Sequence, residues 1–204
     1  MNVYSAKQIR NVAVLGHFGS GKTTLVEALA YTTGLTSRMG KVNDGNTISD
    51  FDKEEQKRGF SIGTSVVPIE HNGIKFNFLD TPGNFDFVGE VEEALAAAEI
   101  ALIVINGKAG VEVGTQKAWK MCVKRNIPRL IFVTGMDDEN ASYKTIIEDL
   151  EERYPGKIAP FQLPIREGEK LIGFVDVIKM EGKKYVGKGQ YVPCDIPGHV
   201  QEQL

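Results

Sequence analysis

The feature that most limits the fold is a glycine-rich run at residues 16–23, Gly-His-Phe-Gly-Ser-Gly-Lys-Thr. It follows an apolar segment at 12–15 and opens a segment with helical spacing at 22–31. The run fits the pattern G-x-x-x-x-G-K-[ST], whose glycines let backbone N–H groups surround a phosphate while the helix N-terminus adds positive dipole. A glycine-rich turn that arose by chance would not be expected to lie between an apolar strand and a helix. The run therefore predicts a strand, a phosphate-binding loop and a helix in that order.

Apolar runs and helical patterns alternate along most of the chain. Strands are predicted at 11–15, 61–69, 74–79, 100–105 and 129–134, with helices between most of them at 22–31, 87–98, 115–124 and 143–153. Asp86 is the expected N-cap of the second helix. Continuous apolar strands that alternate with helices predict a mainly parallel sheet covered on both faces. The turn His-Asn-Gly at 71–73 predicts a hairpin, so one edge strand should be antiparallel. The fold class is therefore a three-layer α/β/α P-loop NTPase.

Two parts of the chain depart from this alternation. Residues 34–60 are polar and contain scattered glycines with no clear period, which is typical of a long functional or mobile loop. From Tyr154 onward short strand-like runs and turns predominate, as at 173–178 and 183–186. We expect a P-loop domain at 1–155 and a small β-rich subdomain that begins at 156–204.

An acidic turn ends the predicted strand at 74–79. Its sequence is Asp80-Thr81-Pro82-Gly83, which in isolation is more often a plain strand-ending turn. Next to a phosphate loop, an aspartate at this place is expected to reach Mg²⁺ through water, while the Thr23 hydroxyl binds the ion and Lys22 reaches the β- and γ-phosphates. The Gly83 N–H would contact the γ-phosphate, so the bound nucleotide would set the local backbone conformation, as in a switch.

Composition narrows the class of protein. A net charge of -3 over 204 residues argues against nucleic-acid binding by bulk attraction, so no sequence-specific DNA binding is expected. Cys122 and Cys194 are far apart and lack metal-ligand spacing, which favours a reducing compartment. Residues 1–10 lack the apolar core of a signal peptide, and the most apolar stretch is too short to span a bilayer. We expect a soluble, cytoplasmic monomer without a membrane partner.

These motifs together resemble the translational GTPases, most closely elongation factor G and its relatives, over nearly the whole chain. Residues 16–25 resemble the family's first motif, 52–62 its first switch and 80–87 its second switch. Residues 162–165 and 173–178 resemble the start of the subdomain that interrupts the nucleotide domain of elongation factor G. The resemblance implies a GTP-binding domain at 1–155, with switches at about 34–62 and 80–92, and an inserted subdomain that begins at 156–204.

The resemblance also implies roles for single residues. GTP or GDP would be bound with Mg²⁺, and the metal ligands would be Thr23, Ser61 and Asp80. Phe18 and Phe60 would flank the attacking water as an apolar gate. Catalysis would involve Lys22, Gly83 and Asn84. The nucleotide would contact Gly16, His17, Phe18, Gly19, Ser20, Gly21, Lys22, Thr23 and Thr24 in the phosphate loop, Asp80, Thr81, Pro82, Gly83 and Asn84 in the second switch, and Thr134, Gly135, Met136 and Asp137 at the base.

Three residues or motifs depart from the family pattern. Asn84 replaces the histidine that positions the attacking water, and Gly19 replaces an aspartate in the phosphate loop. Thr134-Gly135-Met136-Asp137 replaces Asn-Lys-x-Asp, although the Asp137 carboxylate can still accept from guanine N1–H and its exocyclic amine. A plain strand-to-loop turn is the alternative reading of 134–137. We expect slow intrinsic hydrolysis and a weakened base pocket.

Another family element, the Ser-Ala-(Leu/Lys) loop that touches the base, has no match after the predicted insert. Because the sequence stops at Leu204 inside that insert, we expect an N-terminal fragment that lacks the last strand and helix of its nucleotide domain. The leading hypothesis is a GTP-hydrolysing domain of a factor that acts on the ribosome in translocation, recycling or ribosome protection. A non-catalytic GTP-binding switch and an ATP-dependent P-loop enzyme are the alternatives.

Overall fold

The computed structural model describes residues 3–187 and 189–201, and of His199 it describes the backbone alone. The chain forms two compact units. The first comprises residues up to 106 together with 112–134, and the second comprises 107–111 together with the residues from 135 onward. The boundary predicted at 155/156 separates the P-loop domain from the inserted subdomain. It stays a prediction.

The first unit is built on a five-stranded sheet in the order β2-β3-β1-β4-β5. β1 is parallel to β3 and β4, β4 is parallel to β5, and β2 is antiparallel to β3 at the edge. Asn72 and Gly73 both have positive φ, 48° and 76°, as a tight hairpin turn requires. The strands are β1 (Ile9–Gly16), β2 (Ser65–His71), β3 (Ile74–Asp80), β4 (Ile100–Asn106) and β5 (Arg129–Thr134).

Four helices belong to the first unit: α1 (Lys22–Thr32), α2 (Lys53–Arg58), α3 (Val88–Ala97) and α4 (Val113–Lys124). Val12 and Val14 of β1 pack with α1 residues in one core cluster. Ala13 and Leu15, which alternate to the other face, are equally buried. The sheet is therefore covered on both faces, and the predicted mainly parallel α/β fold with an antiparallel edge strand is confirmed. In the described residues no helix is both long and apolar enough to cross a membrane.

Two local predictions were wrong. The strand predicted at 61–69 begins at Ser65, because the N–H groups of residues 62–64 donate to glutamate side chains instead of a neighbouring strand. The helix predicted at 87–98 is preceded by a 3₁₀ turn, Phe85–Phe87, and Asp86 caps neither element. The Asn84 side chain accepts from the Asp86 N–H and caps the turn instead. Asparagine suits this role as well as aspartate does.

The second unit contains an antiparallel sheet whose strands lie in chain order. They are β6 (Gln162–Glu167), β7 (Lys170–Asp176), β8 (Glu181–Gly187) and β9 (Gln190–Cys194). The unit also contains α5 (Tyr143–Arg153) and the short α6 (Gly198–Gln201). Its core consists of Leu163, Ile165, Val175 and Val200, with Tyr143 of α5 packed against them. The predicted β-rich part of the fold is confirmed.

The two cysteines should differ sharply in reactivity. Cys122 is buried in α4, and burial raises the pKa of its thiol to about 11, whereas Cys194 is only half-buried. Since the thiolate is the nucleophile, about one Cys122 thiol in a thousand is ionised at pH 8 even before access is considered. We expect Ellman's reagent to label Cys194 first and Cys122 only after unfolding, with the Cys122→Ser variant as the control. Equal labelling of both thiols in the native protein would contradict this.

Candidate nucleotide site

The phosphate loop connects the end of β1 at Gly16 to the start of α1 at Lys22. Gly16 has φ 152°, and a Cβ on it would lie 2.4 Å from the Val104 carbonyl oxygen. Gly21 has φ 90° and faces the Thr134 side chain, whose Oγ1 donates to the Ser20 carbonyl at 2.8 Å. The first glycine of the motif thus permits close packing on β4, and β5 holds the last turn of the loop. Thr134, which the sequence assigned to the base, braces the phosphate loop.

Lys22 provides the positive charge of the loop. Its side chain is buried, and its Nζ donates to the carbonyl oxygens of His17 at 2.8 Å and Gly16 at 3.3 Å. Burial lowers the pKa of Lys22 to about 8, and the carboxylates of Asp80 and Asp50 oppose that shift. The N–H groups of residues 22–24 lie in the first helical turn and have no intrahelical acceptor. An ammonium group and several free N–H donors at a helix N-terminus form an anion-binding site.

Asp80 is the most deeply buried carboxylate near this loop, at 1% exposed. Neither of its oxygens has a hydrogen-bond partner in the described part of the chain. Burial raises its pKa to about 6, while the nearby hydroxyls of Thr23 and Ser49 and the charge of Lys22 act in the opposite direction. A buried carboxylate without a donor is unfavourable, so this position is suited to a bound cation.

Two hydroxyl groups complete an oxygen-rich cluster with Asp80. Thr23 Oγ1 lies 3.3 Å from Ser61 Oγ, which donates to Asp50 Oδ1 at 2.7 Å. Hydroxyl and carboxylate oxygens are ligands that Mg²⁺ accepts, and Mg²⁺ usually takes only one or two side chains together with phosphates and water. The oxygen donors of Thr23, Ser61 and Asp80 fit that ion. The described ranges hold no group of three or more His, Cys, Asp or Glu that could bind a metal. Sequence reasoning missed Asp50.

Three glutamates fix the long segment at 34–64 to the rest of the first unit. Glu27 of α1 accepts from the N–H groups of Gly40 and Ile48, both at 2.7 Å. Glu55 of α2 accepts from Ile62 and Gly63, and Glu90 of α3 accepts from Thr64 at 2.7 Å. Sequence reasoning missed all three residues. The available signal was Glu27, a charged residue on the apolar face of α1 between Val26 and Ala30.

Loss of the Glu27 carboxylate should loosen this segment. In Glu27→Ala, the buried N–H of Gly40 and that of Ile48 lose their acceptor, and each unsatisfied donor costs about 1–3 kcal/mol. We expect these two amides to exchange with deuterium about 30-fold faster, the equivalent of about 2 kcal/mol in local opening. Hydrogen exchange read by NMR or mass spectrometry measures this, with Glu93→Ala on the exposed face of α3 as the matched control. Unchanged exchange at Gly40 and Ile48 would disprove the anchoring role.

The segment predicted as the second switch begins directly after β3. The Thr81 hydroxyl is buried and donates to the Val14 carbonyl at 2.6 Å, which fixes the turn to β1. A Cβ on Gly83 would lie 2.5 Å from Lys22 Nζ and 2.8 Å from Phe18 Cα, so only glycine allows this approach to the phosphate loop. Asn84 Oδ1 accepts from Asp86 N–H at 3.2 Å. The structure therefore brings Gly83 to the phosphate loop and uses the Asn84 side chain as a cap.

Aromatic contacts also connect the phosphate loop to both segments that are predicted as switches. Phe18 and Phe60 meet edge to face with ring centroids 5.8 Å apart. His17 Nδ1 accepts from the Gly114 N–H at 3.2 Å, and its ring lies 5.7 Å from that of Phe85. The two rings predicted to form an apolar gate are thus in contact.

The predicted base-reading residues Gly135, Met136 and Asp137 belong to the second unit. Asp137 is exposed. The neighbouring Asp138 carboxylate accepts from the backbone N–H of Asn140 at 2.8 Å and from its side chain at 3.1 Å, which lowers the pKa of Asp138. Asp138 therefore stabilises its own turn, whereas the Asp137 carboxylate faces solvent. The ligand roles predicted for all these residues stay predictions.

A family model of the elongation factor Tu GTP-binding domain matches residues 7–194. The chain belongs to this family. This translational GTPase domain is 39% identical over 186 residues to the mitochondrial ribosome-releasing factor 2 of Anopheles gambiae, which covers 91% of the chain and 25% of that protein. It is also 39% identical over 174 residues to the mitochondrial ribosome-releasing factor 2 of Pongo abelii, covering 85% of the chain and 22% of that protein.

Solved structures agree with this assignment. A crystal structure of a protein from Thermus thermophilus superimposes with a TM-score of 0.90 and 39% sequence identity. The match covers 96% of this chain and 29% of that one. This GTPase domain thus spans about a quarter of the length of the relatives it matches. The resemblance to the translational GTPases is confirmed.

Proposed function

We propose that the chain binds GTP and GDP with Mg²⁺ and hydrolyses GTP as part of a translation factor that acts on the ribosome. The observation that carries the proposal is Asp80, a buried carboxylate whose oxygens form no hydrogen bond with the described residues. It lies next to the Lys22 charge and the Thr23 hydroxyl of the phosphate loop. A cation bound with a nucleotide phosphate would remove the cost of that burial. Membership of a family named for its GTP binding gives independent support.

The phosphate loop, the hydroxyls of Thr23 and Ser61, and Gly83 would each have a separate role in nucleotide binding and hydrolysis. Mg²⁺ would be held by the oxygens around Thr23, Ser61 and Asp80, and when bound it would offset the negative charge of the phosphates. Lys22 Nζ would donate to the phosphates in place of its two loop carbonyls, and the oxygens of Thr23 and Ser61 would be the direct metal ligands. Gly83 N–H would donate to the γ-phosphate. Most of the rate would come from positioning and charge stabilisation, since phosphoryl transfer to water asks little covalent chemistry of the protein.

Ribosome recycling is the cellular step that we propose among the three that the sequence left open. Its support is the name of the relatives, ribosome-releasing factor 2. The test is phosphate release by the full protein in multiple turnover, with and without ribosomes. Stimulation by ribosomes supports the proposal, and equal rates with and without ribosomes contradict it.

A second candidate function is a GTP-binding switch that does not hydrolyse its nucleotide at a useful rate. One observation favours it: Asn84 Oδ1 already accepts from the Asp86 N–H, so this side chain is engaged as a cap. Ribosome-stimulated turnover would exclude this candidate.

Competition between GTP and ATP for a fluorescent nucleotide, repeated with Asp137→Asn, separates both functions from an ATP-dependent enzyme. If ATP displaces the fluorescent nucleotide at the same concentration as GTP does, the ATP-dependent enzyme is favoured.

A cytoplasmic location, a monomeric state and the absence of sequence-specific DNA binding complete the proposal. The net charge of -3 supports the absence of DNA binding, and the two free cysteines support a reducing compartment. The relatives above are named mitochondrial, so location needs its own test. Fractionation of cells that express the tagged full protein, with light scattering of the purified protein for its mass, would decide location and monomeric state.

A further inference from the structure

Arg166 stands out in the second unit because, among the described residues, its side chain donates hydrogen bonds to backbone carbonyls alone. It lies on β6, where Leu163 and Ile165 point into the core. The pairing of β6 with β7 shifts register between Ile165 and Arg166, and such a bulge changes the direction of a side chain. The Arg166 guanidinium leaves the sheet and donates through Nη1 to the Glu169 carbonyl at 3.0 Å.

The other end of the guanidinium group reaches the turn that carries Asp137. Nη2 of Arg166 donates to the carbonyl oxygen of Met136 and, at 3.2 Å, to that of Asp138. These two carbonyls belong to the residues on either side of Asp137. A planar, permanently charged fork can hold several acceptors in a fixed arrangement, which a lysine ammonium cannot reproduce. Arg166 therefore fixes the backbone on both sides of Asp137.

Two residues whose carbonyls Arg166 binds, Asp138 and Glu169, also line an open polar cavity of about 490 Å³ in this unit. Asp137 lines one part of the cavity, and Glu169 and Lys170 of the β6–β7 hairpin line another. The Asp138 carboxylate already accepts two hydrogen bonds from Asn140. Asp137 and Glu139 are thus the exposed acidic side chains of the turn that line the cavity, and of these two Asp137 is the one whose flanking carbonyls Arg166 holds. Arg166 contacts the backbone of both the turn and the hairpin.

We propose that Arg166 is a positioning residue that sets the orientation of Asp137 for guanine recognition. The inference rests on the proposed GTP-binding function and adds a source of base specificity outside residues 134–137. A carboxylate can accept from guanine N1–H and from the exocyclic amine only when it lies in the plane of the base. An exposed turn that begins at Gly135, with φ 63°, needs an external brace to hold that orientation.

The test compares GDP, inosine diphosphate and ADP as competitors of a fluorescent nucleotide on the full chain with Mg²⁺. Inosine diphosphate lacks the exocyclic amine but keeps N1–H. For Arg166→Met we expect about a tenfold or larger loss of GDP affinity, a GDP-to-inosine diphosphate ratio near one, and unchanged ADP affinity. Arg166→Lys should fall between this variant and the wild type. Arg153→Met, which removes an arginine paired with Asp149 on α5, should match the wild type.

Two outcomes overturn the inference. The first is a wild-type GDP-to-inosine diphosphate ratio in both Arg166 variants. The second is an equal loss of affinity for all three nucleotides, which would mean that Arg166 only supports folding. Melting temperatures identify an unfolded Arg166→Met protein, and the ratio is then decided with Arg166→Lys alone. A wild-type chain that does not prefer GDP over ADP would instead refute the proposed function, and the inference with it.

Discussion

Replacing Lys22 by methionine is expected to lower the affinity for GDP and GTP by at least about a hundredfold. The Lys22 ammonium is buried and already bound to two loop carbonyls, so it is held at the phosphate loop before any ligand arrives. Its pKa of about 8 lies above neutral pH, and the group is therefore mostly cationic at pH 7. Loss of a buried charged partner typically costs about 2–5 kcal/mol of binding. Methionine keeps the length and apolar character of the stem and removes the charge.

Titration with a fluorescent GDP analogue measures this loss. Lys120→Met, on the exposed part of α4, removes an equal charge and should bind as the wild type does. Burial of the ammonium is unfavourable for folding, as its lowered pKa shows. We therefore expect Lys22→Met to keep a cooperative melting transition without nucleotide. Wild-type affinity in a folded Lys22→Met protein would refute the phosphate-binding role.

Replacing Asn84 by histidine is expected to raise the single-turnover rate of GTP cleavage by about a hundredfold, the effect of one preorganised polar group. Asparagine can hydrogen-bond the attacking water but cannot become cationic. In this protein its Oδ1 also accepts from the Asp86 N–H, which turns the side chain toward its own 3₁₀ turn. A histidine would give up that cap, at about 1 kcal/mol, and free the side chain for the water.

Rapid-quench measurements on Asn84→His and Asn84→Ala separate the two roles of this position. The alanine variant should lose the cap and cleave GTP no faster than the wild type. Both variants should bind GDP with nearly wild-type affinity, because Lys22 and the first turn of α1 are unchanged. If Asn84→His gains no rate, the absence of histidine is not what limits hydrolysis.

Interactions between neighbours in sequence account for what could be predicted. The phosphate loop follows from glycines that adopt positive φ and from its place between an apolar strand and a helix. Asn72 and Gly73 specified the hairpin at the sheet edge for the same reason. The apolar runs specified β3, β4 and β5 almost to the residue, because consecutive apolar residues are typical of strands in a sheet that is covered on both faces. Burial of β4 shows this most clearly.

Interactions between distant residues account for what could not. Residues 61–64 continue the β-branched pattern of the following strand, yet the N–H groups of 62–64 bind Glu55 and Glu90, and β2 begins only at Ser65. Thr134 was predicted to contact the base, which stays a prediction, and the structure shows in addition that it braces the phosphate loop across 114 residues. No local pattern encodes such pairs, because each partner is chosen by the packing of its helix or strand.

The sequence by itself determined the fold class, the family and the chemistry of the phosphate loop, because glycines, a lysine and apolar periodicity act over a few neighbouring residues. Only the tertiary structure decided which side chains fix the loops and turns around the phosphate loop and Asp137. Glu27 anchors the long loop, the buried Asp80 has no donor among the described residues, and Arg166 braces the turn around Asp137. The physical reason is that burial and long-range hydrogen bonds exist only after the strands and helices have packed.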